Sequence, residues 1–195
     1  MTVAPGCYSR AVVASSRKPA TYADIEALPE GVRGEIVAGE LYASPRPRPL
    51  HARPALRLGA DLDSPFGRDR GGPGGWVFLP EPELNLSGNV LIPDLAGWRI
   101  ERWTAASDVV GIPIVPDWCC EILSPSTARL DRGAKMDAYA RAGLPFLWLI
   151  DPAVRTLEAY RLESGWLRLG TWTDDGPVRA APFDAVELPM TDWWM

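Results

Sequence analysis

The sequence predicts an α/β or α+β fold, a mixed central sheet with helices packed on it, and three observations carry that prediction. Apolar runs of strand length, the clearest being Asp117–Ser124, alternate in mixed order with segments of helix length. Pro and Gly are plentiful, 20 and 18 of 195 residues, which favours many short elements and turns over a helical bundle. With 47% hydrophobic residues the chain can fill one sizeable core. Residues 21–195 therefore read as a single domain behind a flexible N-terminal arm over residues 1–20.

The arm carries no periodicity and closes on Ser15-Ser16-Arg17-Lys18-Pro19. Thr21 caps a short helix running to Leu28, and Asp24 at the third position completes a capping box. Gly34 to Ser44 reads as two short strands about Ala38-Gly39, a hairpin. Apolar residues at Leu50, Ala55, Leu58 and Leu62 suit a helix between Pro49 and Asp63, with Pro54 in its first turn or kinking it. A Gly-rich loop over 68–75 precedes strands at Trp76–Leu79, Pro82–Leu86 and Val90–Trp98, then an irregular connection over 101–116. After the strand at 117–124, a helix opens at Ser126 or Thr127 and stops at Gly143, with Pro145 beyond it. Leu147–Ile150 is a buried strand, and Thr156–Leu162 with Trp166–Trp172 forms an extra C-terminal hairpin about Glu163-Ser164-Gly165.

Composition narrows the function. The net charge of −5 argues against a general nucleic-acid-binding surface, which shows a basic excess. Cys7, Cys119 and Cys120 have no CxxC spacing, and the adjacent pair points to opposite faces of a strand, so a reducing compartment is expected. The first twenty residues lack a continuous apolar stretch, and the run from Leu144 to Ile150 is too short for a bilayer. A soluble cytoplasmic protein with no membrane partner follows as the expectation. His51 is the only histidine, so multi-histidine zinc sites are excluded and histidine-based triads would have to use it.

Two acids stand out because they sit on apolar strands. Glu121 lies in Trp118-Cys119-Cys120-Glu121-Ile122-Leu123, where an ionised carboxylate costs several kcal/mol unless donors or a cation accept it. Asp94 lies in Val90-Leu91-Ile92-Pro93-Asp94-Leu95. Alternation places Asp117, Cys119, Glu121 and Leu123 on one face, with Trp118, Cys120 and Ile122 on the other. It likewise groups Ile92, Asp94, Ala96 and Trp98. If the two strands pair, Asp94 and Glu121 approach one hard divalent cation, which prefers carboxylate oxygens and keeps several waters. Taken alone, Asp94 is also a turn residue after Pro93, and Glu121 the partner of a core-edge arginine.

Lys135 follows on the next helix, where it can orient a water or neutralise a phosphate oxygen. Asp131, four residues earlier, offers the plainer account of a surface ion pair. Tyr139 falls on the same helix face. Glu35 opens the first hairpin as a solvated acid or a third carboxylate of the site. Arg46, Arg48, His51 and Arg53 form the one local basic segment, suited to phosphates or simply solvating a Pro-rich loop. Trp193 and Trp194 at the C-terminus imply docking onto the domain or onto a second subunit.

These motifs, in order, are Gly34-Glu35, Gly39-Glu40-Leu41, Ser44-Pro45, His51, Pro93-Asp94, Glu121-Ile122-Leu123-Ser124-Pro125-Ser126, Asp131-Arg132, Lys135, Tyr139, Gly143 and Trp148-Leu149-Ile150-Asp151-Pro152. The series resembles the Uma-type family of putative restriction endonucleases, in the PD-(D/E)XK nuclease superfamily, over about residues 22–162. The resemblance implies a restriction-endonuclease-like αβββαβ core, with Asp94 and Glu121 as the acids holding magnesium or manganese. The superfamily pattern places a lysine two residues after the second acid, where this chain has Leu123. The resemblance assigns that role to Lys135 and makes Glu35 the upstream glutamate. A metal-dependent endonuclease acting on DNA is the resulting expectation, with a homodimer suited to cutting both strands. The competing expectation is a nuclease-like module that binds protein or nucleic acid without turnover.

Overall fold

The computed structural model describes residues 18–45, 49–103, 111–174 and 176–194, so most of the expected arm and half of the 101–116 connection fall outside the described residues. Of the arm, Ala20 is already attached to the hairpin turn, donating its N–H to the Gly39 carbonyl at 2.8 Å.

The capping box forms as its residues require. Thr21 gives both its N–H and its hydroxyl to the Asp24 carboxylate, at 2.7 and 2.9 Å, and opens α1 (Tyr22–Glu26). Strands β1 (Val32–Val37) and β2 (Glu40–Pro45) pair antiparallel around Ala38 and Gly39. Both turn residues have positive φ, 52° and 78°, the geometry whose twist matches a two-residue hairpin. Helix α2 (Pro49–Leu62) carries Pro54 past its first turn and runs on as a π-helical turn over Asp63–Gly67.

Next come β3 (Trp76–Pro80), β4 (Leu84–Leu86), β5 (Asn89–Leu91), β6 (Leu95–Arg99) and β7 (Trp118–Ile122). The single strand expected over Val90–Trp98 is thus two strands, in different sheets. β5 pairs with β1 and β4, whereas β6 pairs with β3 and β7. Pro93 has no N–H to give a ladder, so the chain breaks there and crosses between sheets, leaving Asp94 at the crossing.

The helix expected from Ser126 or Thr127 has three parts: α3 (Ala128–Leu130), a π-helical turn over Asp131–Lys135, and α4 (Met136–Ala142). It ends, as expected, on Gly143 in the left-handed region, φ 80°. Strands β8 (Phe146–Asp151), β9 (Thr156–Leu162) and β10 (Trp166–Thr173) complete the main sheet, whose order is β10-β9-β8-β7-β6-β3. Only β7 and β8 run parallel, so the sheet is mixed. The smaller sheet has the order β2-β1-β5-β4. A short pair, β11 (Pro177–Val178) with β12 (Leu188–Pro189), and a 3-10 turn over Met190–Trp193 close the described chain. Among the described residues no helix is long and apolar enough to cross a membrane.

β7 is the axis of the molecule, and all five of its residues are buried. Alternation holds along it. Trp118, Cys120 and Ile122 join a core with Leu58 and Leu62 of α2 and the C-terminal segment. Cys119 and Leu123 join the opposite core with Ala96, Trp98 and Tyr139. Trp193 and Trp194 dock onto the domain itself: their ring N–H groups donate to Asp61 Oδ2 at 2.8 Å and to the Asp174 carbonyl at 3.0 Å. Phe183 brings the same segment onto the sheet, its ring centroid 4.8 Å from Trp76, 5.1 Å from Trp118 and 5.5 Å from Trp148. Truncating so enclosed a ring leaves a cavity, so Phe183→Ala should lower stability by about 3–5 kcal/mol in a urea titration. A loss below about 1 kcal/mol would show that the C-terminal segment does not hold the core together.

Candidate active site

The register of β6 against β7 pairs Leu95 with Cys120 and Ala96 with Cys119. Continued by one pair, it sets Asp94 opposite Glu121. Asp94 has just left its strand, and its Oδ2 accepts the N–H of Ile122, the residue after Glu121, at 2.6 Å. The same oxygen lies 3.4 Å from His51 Nε2 on the first turn of α2. The two acids are 4% and 3% exposed.

Glu121 reaches the helix that follows it. There Lys135 Nζ lies 2.7 Å from Glu121 Oε1 and 2.9 Å from Glu35 Oε1, and the Tyr139 hydroxyl donates to Glu121 Oε1 at 2.5 Å. Glu35 is held in turn by the N–H of Ile92 at 2.7 Å. Lys135 is only 2% exposed, so the surface ion pair with Asp131 is the wrong account of it. Asp131 is buried as well, 3.8 Å from Nζ, and the π-helical turn that contains both residues turns them inward. An extra residue in a helical turn of this kind commonly re-aims side chains at functional sites.

Electrostatics follow from this packing. Burial alone would drive the Lys135 pKa down, but Glu121, then Glu35 and Asp131, outweigh it and raise it above the ordinary lysine value. Lys135 is therefore an ammonium ion at any neutral pH. Glu121 moves the opposite way to a normal ion-paired acid: burial lifts its pKa well above 4.5, against the pull of Lys135. Burial pushes Asp131 up from 3.8 to about 6, again against Lys135. For His51, burial lowers the pKa, but the hydrogen bond and charge of Asp94 prevail and leave it raised above 6.5. Three acids, Glu35, Glu121 and Asp131, thus share one lysine, with Asp94 close by beside His51, and the cluster is short of positive charge.

That shortage is the test of whether a metal fits. The donors are carboxylate oxygens, which suit a hard divalent cation, and added positive charge would relieve the strain that burial places on Glu121. Among the described residues no group of three or more His, Cys, Asp or Glu is arranged to hold a metal ion. A pair of carboxylates such as Asp94 and Glu121 is the kind of protein donor set that suits magnesium, which is held by one or two carboxylates with water and phosphate oxygens supplying the rest.

The sequence reading brought Asp94, Glu121, Lys135, Glu35 and Tyr139 to one region, and His51 arrives beside Asp94. Arg53 faces elsewhere, donating its Nε to the Trp194 carbonyl at 3.2 Å. Arg46 and Arg48 lie outside the described residues. Missed altogether were the burial of Asp131 and a pair at the mouth of the site, Arg33 with Glu81, whose Nη1 and Oε1 are 2.7 Å apart. Their separation along the chain gave no signal, since neither belongs to a local motif.

The raised pKa of Asp131 has a testable sign. A group whose folded pKa exceeds its unfolded value favours the folded state most below the unfolded value, 3.8, and loses that contribution as the pH rises through about 6. Asp131→Asn removes the group. Its melting temperature in metal-free buffer should gain on the parent's as the pH is raised from about 4 to about 7. A gap that stays flat or shrinks would contradict the burial of a strained charge at this position.

Residues 19–190 match the Uma2 family, described as "putative restriction endonuclease". The fold is similar to the crystal structure of "a putative nuclease belonging to DUF820" from Anabaena variabilis. The two share a TM-score of 0.72 and 21% identity, over 90% of this chain and 97% of that one. No curated protein matches the sequence. Because the family match covers nearly all of the described fold and both strand acids, the chain belongs to the Uma2 family of putative restriction endonucleases.

Proposed function

We propose that this protein is a metal-dependent phosphodiesterase that cuts DNA as an endonuclease. The observation that best supports the reading is the buried cluster in which three carboxylates face one ammonium group with a fourth, Asp94, close by, since a divalent cation is its natural complement. Membership of the Uma2 family points the same way.

Asp94 and Glu121 would hold magnesium or manganese, an ion that lowers the pKa of a bound water and screens the charge growing on a phosphate. The chain's own contribution is to fix and charge the groups around it. The Ile122 amide and His51 orient Asp94, and Lys135 and Tyr139 orient Glu121 through a single oxygen, Oε1. Lys135 carries its proton too firmly to act as a general base. Its role is that of a donor, to a phosphate oxygen or to the attacking water, with Glu35 and Asp131 keeping it charged and aimed. The arginines at 46 and 48 and the His51 end of α2 would supply local contacts to backbone phosphates in an otherwise acidic molecule.

The net charge of −5 favours one other reading, a nuclease-like module that binds a partner without turnover. The purified protein, incubated with plasmid, linear DNA and RNA in several divalent ions, separates the two. Magnesium-dependent cleavage is expected. Asp94→Asn or Glu121→Gln should lower it by at least about 100-fold with the circular dichroism spectrum unchanged. Variants that cut as fast as the parent would defeat the assignment. Tyr139→Phe deletes only the hydroxyl that positions Glu121, and magnesium affinity by calorimetry should weaken by about 10- to 100-fold. Unaltered affinity would confine Tyr139 to packing.

A further inference from the structure

A cleft of about 710 Å³ opens onto Asp94 between the start of β1, the first turns of α2 and the end of β3. Val32, Ala55, Leu56 and Pro80 give it apolar walls, and Arg33, His51, Asp94 and Glu81, the last paired with Arg33, supply its polar groups. Leu56 is 73% exposed and Val32 36%, so two apolar side chains stand open to solvent at the entrance to an acid site. Arg33 Nε and His51 Nδ1 are both buried without a hydrogen-bond partner in the protein. Ligand clefts of about 300–1,000 Å³ combine apolar walls with a few converging polar groups in this way.

We infer that this cleft receives an unpaired nucleotide next to the scissile phosphate, so that the substrate is single-stranded nucleic acid or the unpaired arm of a duplex. The inference rests on the phosphodiesterase reading above and specifies its substrate. Three observations carry it. Asp94 and Glu121 are almost wholly buried, so the phosphate must come down to them. An unpaired strand bends into a recess freely, whereas a paired one must first lose stacking and pairing at a cost of a few kcal/mol. The entrance is apolar, which suits the face of a base, and Arg33 Nε and His51 Nδ1 are nitrogens left for phosphate or base-edge atoms. A net charge of −5 gives the chain no basic excess with which to grip many duplex phosphates at once.

The test uses one end-labelled oligonucleotide as a single strand, as a full duplex and as a duplex with a single-stranded flap, each with the whole protein and magnesium or manganese. The single strand and the flap arm should be cut at least about tenfold faster than the duplex. Leu56→Glu, a change at an exposed position outside the acid cluster, should slow single-strand cleavage about tenfold while calorimetric magnesium binding stays the same. Duplex cut as fast as the single strand, or Leu56→Glu without effect on single-strand cleavage, overturns the inference and leaves metal-dependent cleavage standing. No cleavage of any of the three substrates overturns both.

Discussion

One buried ammonium group organises this protein. Lys135 sits between Glu121 on the central strand, Glu35 on the first hairpin and Asp131 on its own helix, and so ties both sheets to the helix that follows β7. Breaking a buried pair commonly costs about 3–5 kcal/mol, because the partner charge is left unpaired in a poorly polarisable interior. Here the lysine is outnumbered even when present. Burial lifts the pKa of Glu121 well above the usual carboxylate value, and that of Asp131 to about 6, in spite of the lysine. A fold stabilised only by packing has no reason to keep such a deficit. Under the proposed function a bound cation would offset that charge, and the same uncompensated charge that weakens the fold would supply binding energy.

Backbone irregularities place the charges. Pro93 ends one strand and sends the chain to the other sheet, so Asp94 sits at a crossing instead of inside a ladder. The π-helical turn over Asp131–Lys135 re-aims the helix so that Lys135 and Tyr139 reach the same oxygen of Glu121. The opposite face of β7 is an aromatic core closed by Phe183 and the C-terminal tryptophans, and it gives the site a rigid support. Asp94 is held by His51, and Glu121 by Lys135. The two acids, opposite each other by the register of β6 and β7, are therefore held by different partners.

Much of this could be read from the chain because local rules governed it. The capping box at Thr21, the hairpin at Ala38-Gly39, the stop at Gly143 and the face alternation along 117–124 each depend on a few adjacent residues. A carboxylate inside Trp118-Cys119-Cys120-Glu121-Ile122 announced itself by its cost. The reading failed where the third dimension decides. Asp131 and Lys135 have the spacing of a surface pair, and only the packing of their helix on β1 and β7 buries them. Val90–Trp98 looks continuous in composition, yet one missing N–H divides it between sheets. Arg53 belongs to a basic segment in sequence but is spent on the Trp194 carbonyl, a partner no local pattern reveals.

Crystals soaked in manganese, with data collected for anomalous scattering, address the central claim directly. The account predicts a peak between the carboxylates of Asp94 and Glu121, about 2.0–2.2 Å from an oxygen of each, with Lys135 still bonded to Glu121. A strong peak elsewhere in the molecule with none between these two acids would contradict it.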